Sequence, residues 1–249
     1  MTADGGGGFM PTIHVLLKKE ELDHQRLQGK VVVVLDILFA TTSIVAALAN
    51  DAKEVVPLPH GKAALAEAEK REKSTYILSG ESHAETLPGF CHPTPLALLR
   101  ENVTGRTVLY CTTNGTVALN KANTADQVYA AALINGRAAV ERIVREQGDE
   151  TVLIVCSGSA DNFNLEDFYG AGHFVALFRE LGRDRYRFTD AAIAAGMLYE
   201  KGNALECLSR ARIGRLMLSR GLDDEVEFAA QQDCFDVVPK LMGDVLRGT

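Results

Sequence analysis

Three uninterrupted runs of β-branched and other apolar residues constrain this chain most: Val31-Val32-Val33-Val34-Leu35, Thr107-Val108-Leu109-Tyr110 and Thr151-Val152-Leu153-Ile154-Val155. Such runs leave no polar face for water, so each predicts a strand buried on both sides, the habit of parallel sheets flanked by helices. Helical patterning follows them at 43–49, 116–122 and 165–181, and recurs at 61–70, 138–146, 190–199 and 204–218. Weaker strand signals lie at 54–56, 76–78 and 127–129. Strands alternating with helices predict an α/β fold, a three-layer α/β/α sandwich around a largely parallel sheet. Residues 1–9, with a run of four glycines, read as a flexible leader, and 10–249 as one α/β domain.

Charge and cysteine usage narrow the functional classes. The net charge is −7 and no basic block interrupts the sequence, which argues against nucleic-acid partners. No apolar run reaches the roughly 18–20 residues that span a bilayer, so no membrane partner is expected. The five cysteines are odd in number and lack CxxC spacing, which suits a reducing cytoplasm and argues against a zinc site. The stretch 204–218, rich in Ala and Leu, is a candidate homodimer face, although intramolecular packing is the commoner use of such a stripe.

A partial internal repeat follows the first two strong strands. Residues 41–48, beginning Thr41-Thr42, resemble 112–119, beginning Thr112-Thr113, and 50–55 echo 123–128. Two similar strand–turn–helix units could thus face each other across one cleft, chance similarity being the alternative.

Open α/β sheets place ligands at the carboxyl ends of their strands. Asp36 closes the first strong strand and leads into Thr41-Thr42, where a carboxylate can bind metal or attack and free helix N–H groups can receive phosphate. Turn and capping roles are the plainer explanation of the same residues. Thr113-Asn114-Gly115 forms a small polar loop suited to an oxyanion, or to a cap. Ser159 and the acidic pair Glu166-Asp167 follow the third strong strand, the pair also matching a helix macrodipole. Glu81 ends a weaker strand before a loop rich in His, Gly and Pro. The sequence has no GxxxxGKS, GxGxxG, HExxH or GxSxG motif, and its histidines are scattered. Carboxylates among oxygen donors favour a hard cation such as Mg²⁺.

In this order the pieces resemble the 2-phosphosulfolactate phosphatase family, along nearly the whole chain. They are 32–38 with Ala40-Thr41-Thr42, Gly80-Glu81, Gly89-Phe90, 112–116, 156–159, Leu165-Glu166-Asp167 with Ala171-Gly172, 190–192 and Val238-Pro239. The resemblance implies a Mg²⁺-dependent phosphatase of coenzyme M biosynthesis, acting on a small anionic phosphorylated metabolite. It implies Asp36 and Glu81 as catalytic acids, Glu81 as a further metal ligand or the base orienting water. Asp36, Glu166 and Asp167 would hold the metal. Thr41, Thr42, Thr113, Asn114, Gly115 and Ser159 would donate to the phosphate or acid group. Two positions depart from the family pattern: Phe39 stands where Arg is expected, and 91–95 replaces a G-N-S-P stretch. Both touch expected substrate contacts, so a binding homologue without catalysis is the competing reading, and an unrelated lyase or transferase a third.

Overall fold

A computed structural model describes residues 10–146 and 148–249; the expected leader, 1–9, lies outside the described residues. Its strands are β1 (Thr12–Leu16), β2 (Lys30–Leu35), β3 (Glu54–Leu58), β4 (Tyr76–Ser82), β5 (Glu85–Thr86) and β6 (Thr107–Cys111). They continue as β7 (Gln127–Ala131), β8 (Thr151–Cys156), β9 (Arg187–Phe188), β10 (Pro239–Met242) and β11 (Val245–Gly248). All belong to one sheet of order β5-β4-β6-β3-β11-β10-β7-β2-β8-β1-β9. The fold is therefore α/β with a largely parallel sheet, as the alternating pattern predicts.

The sheet has two parallel halves, β4-β6-β3 and β7-β2-β8-β1-β9. The carboxy-terminal hairpin β10–β11 joins them antiparallel on both sides, so the halves run in opposite directions. Each junction has one registered pair, Lys240 with Tyr129 and Leu246 with Val55. A flat sheet would put the carboxyl ends of the two halves on opposite edges. Here ends from both halves line one cavity, described below.

The unbroken apolar runs divide as a period of two requires. Val31, Val33 and Leu35 enter a core beneath the helices Gly136–Glu146, Leu165–Gly182 and Asp190–Lys201. Val32 and Val34 enter a second core with Ile44 and Ala47 of helix Ala40–Ala49 and Leu119 of helix Gly115–Lys121. That second core also takes Val55, Val108 and Ile77 from the other half of the sheet, so the two halves share it.

Several elements depart from the pattern-based expectation. Strands β1, β5 and β9 and the hairpin β10–β11 are additional, as are helices Pro95–Leu99 and Asp223–Ala229. The stretch 204–218 is two helices, Ala204–Arg210 and Arg212–Ser219, separated by Ala211 in an extended conformation (φ −61°, ψ 155°). Its buried residues Cys207, Leu208, Ile213 and Met217 join the first core. Among the described residues no helix is long and apolar enough to cross a membrane.

Candidate active site

A cavity of about 250 Å³ opens where β2, β4, β6 and β8 end. Asp36, Glu81, Thr112, Thr113, Asn114 and Ser159 line it, with Phe39, His83, Asn164 and Arg212 completing much of its wall.

Asp36 is the residue after β2, and its corner is locked from within. Its backbone N–H donates to Thr41 Oγ1 at 2.8 Å, and that hydroxyl donates back to the Asp36 carbonyl at 3.0 Å. The same lock follows β6, where Thr112 N donates to Thr116 Oγ1 at 3.1 Å and Thr116 Oγ1 donates to the Thr112 carbonyl at 2.9 Å. The structural repeat thus pairs Asp36 with Thr112 and Thr41 with Thr116. The sequence alignment instead sets Thr41 against Thr112, because it follows residue identity and not the hydrogen-bonded corner.

The two helix starts meet at the Asp36 carboxylate. Its Oδ1 accepts from Phe39 N at 2.8 Å, and the backbone amides of Ala40 and Gly115 also donate to it. Burial raises the Asp36 carboxyl above its ordinary range and the Glu81 charge adds to the rise, while those amides oppose it. A buried acid poised this way holds its proton more readily than a surface aspartate.

Glu81 ties the β4–β5 hairpin to the loop after β6. Its Oε1 accepts from Thr113 N at 2.6 Å, and its Oε2 accepts from Thr113 Oγ1 at 3.1 Å and Ala84 N at 2.7 Å. His83 N donates to Thr113 Oγ1 at 3.0 Å. The turn carries two consecutive non-glycine residues in the left-handed region, His83 (φ 53°) and Ala84 (φ 63°), both on the cavity wall. Strain of this kind gathers at functional sites.

The first turn of the helix after β8, Leu165–Gly182, holds the acidic pair. Asp167 Oδ1 accepts from Ile37 N at 2.9 Å and Oδ2 from Gly158 N at 3.0 Å, so this carboxylate joins the ends of β2 and β8. Burial, then the charges of Asp36 and Glu166, raise it well above the carboxylate range. Glu166 is 1% exposed, and its Oε2 is buried with no hydrogen-bond partner. Burial pushes Glu166 up to about 7; the Asp36 charge adds to that and Arg212 opposes it. Mutual repulsion among buried acids marks a place that favours positive charge.

Two cations approach from other elements. Lys19, buried, donates through Nζ to Asn114 Oδ1 at 3.0 Å and to the Ser157 carbonyl at 3.5 Å, fixing both loops. Arg212 Nη2 donates to the Ser159 carbonyl at 3.3 Å, to the Ser159 hydroxyl and to Asn164 Oδ1 at 3.5 Å. Ser159 Oγ in turn donates to Asn164 Oδ1 at 2.8 Å.

Of the residues predicted for the site, Asp36, Glu81, Thr113, Asn114 and Ser159 therefore share one cavity, and Gly115 stands against Asp36. Thr41 and Thr42 do not line it: both are fully buried, and their hydroxyls donate to the carbonyls of Asp36 and Ile37. Glu166 and Asp167 lie behind the wall. Among the described residues no three His, Cys, Asp or Glu side chains gather closely enough to hold a metal ion. Asp167 has both oxygens on backbone amides, whereas the orphaned Oε2 of Glu166 and the carboxylate of Asp36 suit a cation. Mg²⁺ commonly takes only one or two protein carboxylates and completes its shell with water and substrate phosphate. Sequence reasoning missed Lys19, His83, Asn164 and Arg212, of which Lys19 and Arg212 come to the site only through tertiary folding.

Comparison with known proteins finds relatives along most of the chain. Residues 16–244 match the family described as 2-phosphosulpholactate phosphatase. Curated relatives named "Probable 2-phosphosulfolactate phosphatase" are similar along almost their whole length. The relative from Clostridium beijerinckii is 32% identical, over 92% of this chain and 95% of its own. That from Symbiobacterium thermophilum is 36% identical, over 86% and 92% respectively. One from Clostridium tetani is 30% identical, over 94% and 99%.

Proposed function

The chain belongs to the 2-phosphosulpholactate phosphatase family, a family of phosphoric monoester hydrolases, and we propose that it releases phosphate from a small phosphorylated acid, 2-phosphosulfolactate above all. The observation that carries this reading is the placement of Asp36, a buried carboxyl with a raised proton affinity, where two helix starts meet at the cavity wall. In the hydrolysis, a water oxygen bonds to phosphorus and the ester P–O bond breaks. The electron pair stays on the ester oxygen, which takes a proton from bulk water and leaves as the hydroxyl of sulfolactate. Asp36 accepts the proton of the attacking water, a role that its raised proton affinity favours over that of an ordinary aspartate. Asn114, with its amide oxygen held by Lys19, keeps its N–H donors for a phosphoryl oxygen. Glu81 positions the Thr113 amide and hydroxyl, both of which donate to it.

Mg²⁺ is part of the proposal, with Glu166 as its protein ligand, while Asp36 keeps its carboxylate for the water proton. The support is the orphaned Glu166 oxygen and the repulsion among Asp36, Glu166 and Asp167. When bound, the ion would neutralise charge on the phosphoryl oxygens. A cytoplasmic setting is supported by five cysteines that are all unpaired.

The test is phosphate release from 2-phosphosulfolactate, phospholactate and neutral alkyl phosphates, with and without Mg²⁺. Release from the acid-bearing esters, abolished by chelator, is expected. No release from any ester, together with thermal stabilisation by one of them, would favour a binding protein without catalysis.

A further inference from the structure

We propose that Arg212 is a specificity-determining residue that grips the acid group of the substrate, the anionic group other than the phosphoryl. This rests on the reading of the cavity as a phosphomonoester site and names what its second anion meets. 2-Phosphosulfolactate carries two acid groups, a carboxylate and a sulfonate, besides its phosphoryl group, so the acid end needs a receiver separate from the phosphoryl one. Asp36, Asn114 and the amides around them occupy the end formed by β2 and β6. Arg212 reaches the same cavity from helix Arg212–Ser219, against the wall built by Ser159 and Asn164.

The guanidinium is held in place through Nη2 alone. Every hydrogen bond of Arg212 leaves from Nη2, toward Ser159 and Asn164, which are each 7% exposed. Among the described residues, Nε and Nη1 have no protein partner and Arg212 pairs with no carboxylate. Nε and Nη1 therefore keep N–H donors that no protein group takes, available singly to an oxygen of a carboxylate or sulfonate. An arginine anchored through Nη2 on buried groups, with unspent donors beside a cavity, is prepared to receive an anion.

The backbone places it there. The chain breaks its helix at Ala211, immediately before Arg212. Gly214 lets the new helix fold tightly back, since a Cβ at that position would stand 1.8 Å from the Leu208 carbonyl oxygen. Had 204–218 continued as one helix, residue 212 would follow the axis of the preceding turns. The break turns it to Ser159 instead.

Two ligands separate the two receivers: sulfolactate, which carries acid groups without a phosphoryl, and ethyl phosphate, which carries a phosphoryl without an acid. Calorimetric titration of the Mg²⁺-loaded protein is compared with Arg212→Gln and Arg212→Lys. Arg212→Gln is expected to weaken sulfolactate by about 10-fold or more and ethyl phosphate by less than about 2-fold. Arg212→Lys, which keeps the charge but not the anchored guanidinium plane, is expected to fall between, and it carries the test should the Gln variant not fold. Equal weakening of both ligands, or of ethyl phosphate alone, would overturn the assignment. Because sulfolactate binding requires no turnover, failure of phosphate release and failure of this assignment give different results.

Discussion

Gly115 stands directly against Asp36: a Cβ on Gly115 would lie 2.6 Å from Asp36 Oδ2 and 2.4 Å from the Cβ of Ala40. The first residue of one helix thus touches both the carboxylate and the first residue of the other. This contact closes the corner after β2 on the corner after β6, although the two strands belong to oppositely directed halves of the sheet. It also gives the Gly115 amide to Asp36.

Gly115→Ala should therefore damage the site and the fold together. Neither Ala40 nor the Asp36 corner has a flexible side-chain end that could move aside. We expect a loss of about 1–3 kcal/mol in stability. Phosphate release should fall by about 100-fold, as expected when a misplaced group lies at the reacting centre. Thermal melting and a phosphate assay read the two effects.

Burial of Glu166 predicts an unusual pH dependence for the metal-free protein. Its folded value, about 7, lies above its ordinary 4.5, so the folded state holds the proton more tightly than the unfolded one. The stabilisation is complete below pH 4.5 and is lost as the pH rises through about 7, by an amount on the order of 3 kcal/mol. Asp36 and Asp167, raised in the same direction, add to the slope. Melting temperature should fall from pH 5 to 8, and Glu166→Gln should flatten that fall. Mg²⁺ should raise the melting temperature more at pH 8 than at pH 5.

Glu225 provides a change remote from the cavity wall. It is 2% exposed and accepts from Thr94 Oγ1 at 2.6 Å, Leu96 N at 2.8 Å and Ala97 N at 2.9 Å, capping the short helix Pro95–Leu99. In Glu225→Gln an amide N–H₂ would face at least one of these donors. The expected cost is about 1–3 kcal/mol, seen as a lower denaturation midpoint. Phosphate release well below the melting temperature should stay close to that of the parent protein.

The hairpin turn stores strain that a glycine would release. Ala84 has φ 63°, a region that costs a residue with a Cβ about 1–2 kcal/mol. Ala84→Gly keeps the N–H that Glu81 accepts, and should stabilise by about 0.5–1 kcal/mol after its greater unfolded-state entropy. Differential melting checks the sign.

Much of the framework was legible because buried parallel strands have a strong signature. Val31–Leu35 and its two counterparts appear as β2, β6 and β8 within a residue or so, and their carboxyl ends carry the cavity. Strand β1 was not legible: Thr12–Leu16 alternates in burial over only five residues, with no apolar run to mark it. The hairpin β10–β11 begins with a proline and is fixed by neighbours distant in the chain. The helix break at Ala211 has no proline or glycine at the break itself. Within the site, Asp36 and Asn114 could be found as strand-end polar residues. The direction of the Thr41 and Thr42 hydroxyls, toward backbone carbonyls, depends on corner geometry that residue identity does not express. Arg212 and Lys19 reach the cavity from elements far away in sequence, and no local pattern distinguishes them from surface cations.

The central claim is that Asp36 performs the chemistry, and the Asp36→Asn variant measures it most directly. Phosphate release from 2-phosphosulfolactate in the presence of Mg²⁺ should fall by about 100-fold or more, since the amide can neither accept the water proton nor carry the charge. A folded Asp36→Asn protein that retains most of the parent activity would contradict the account.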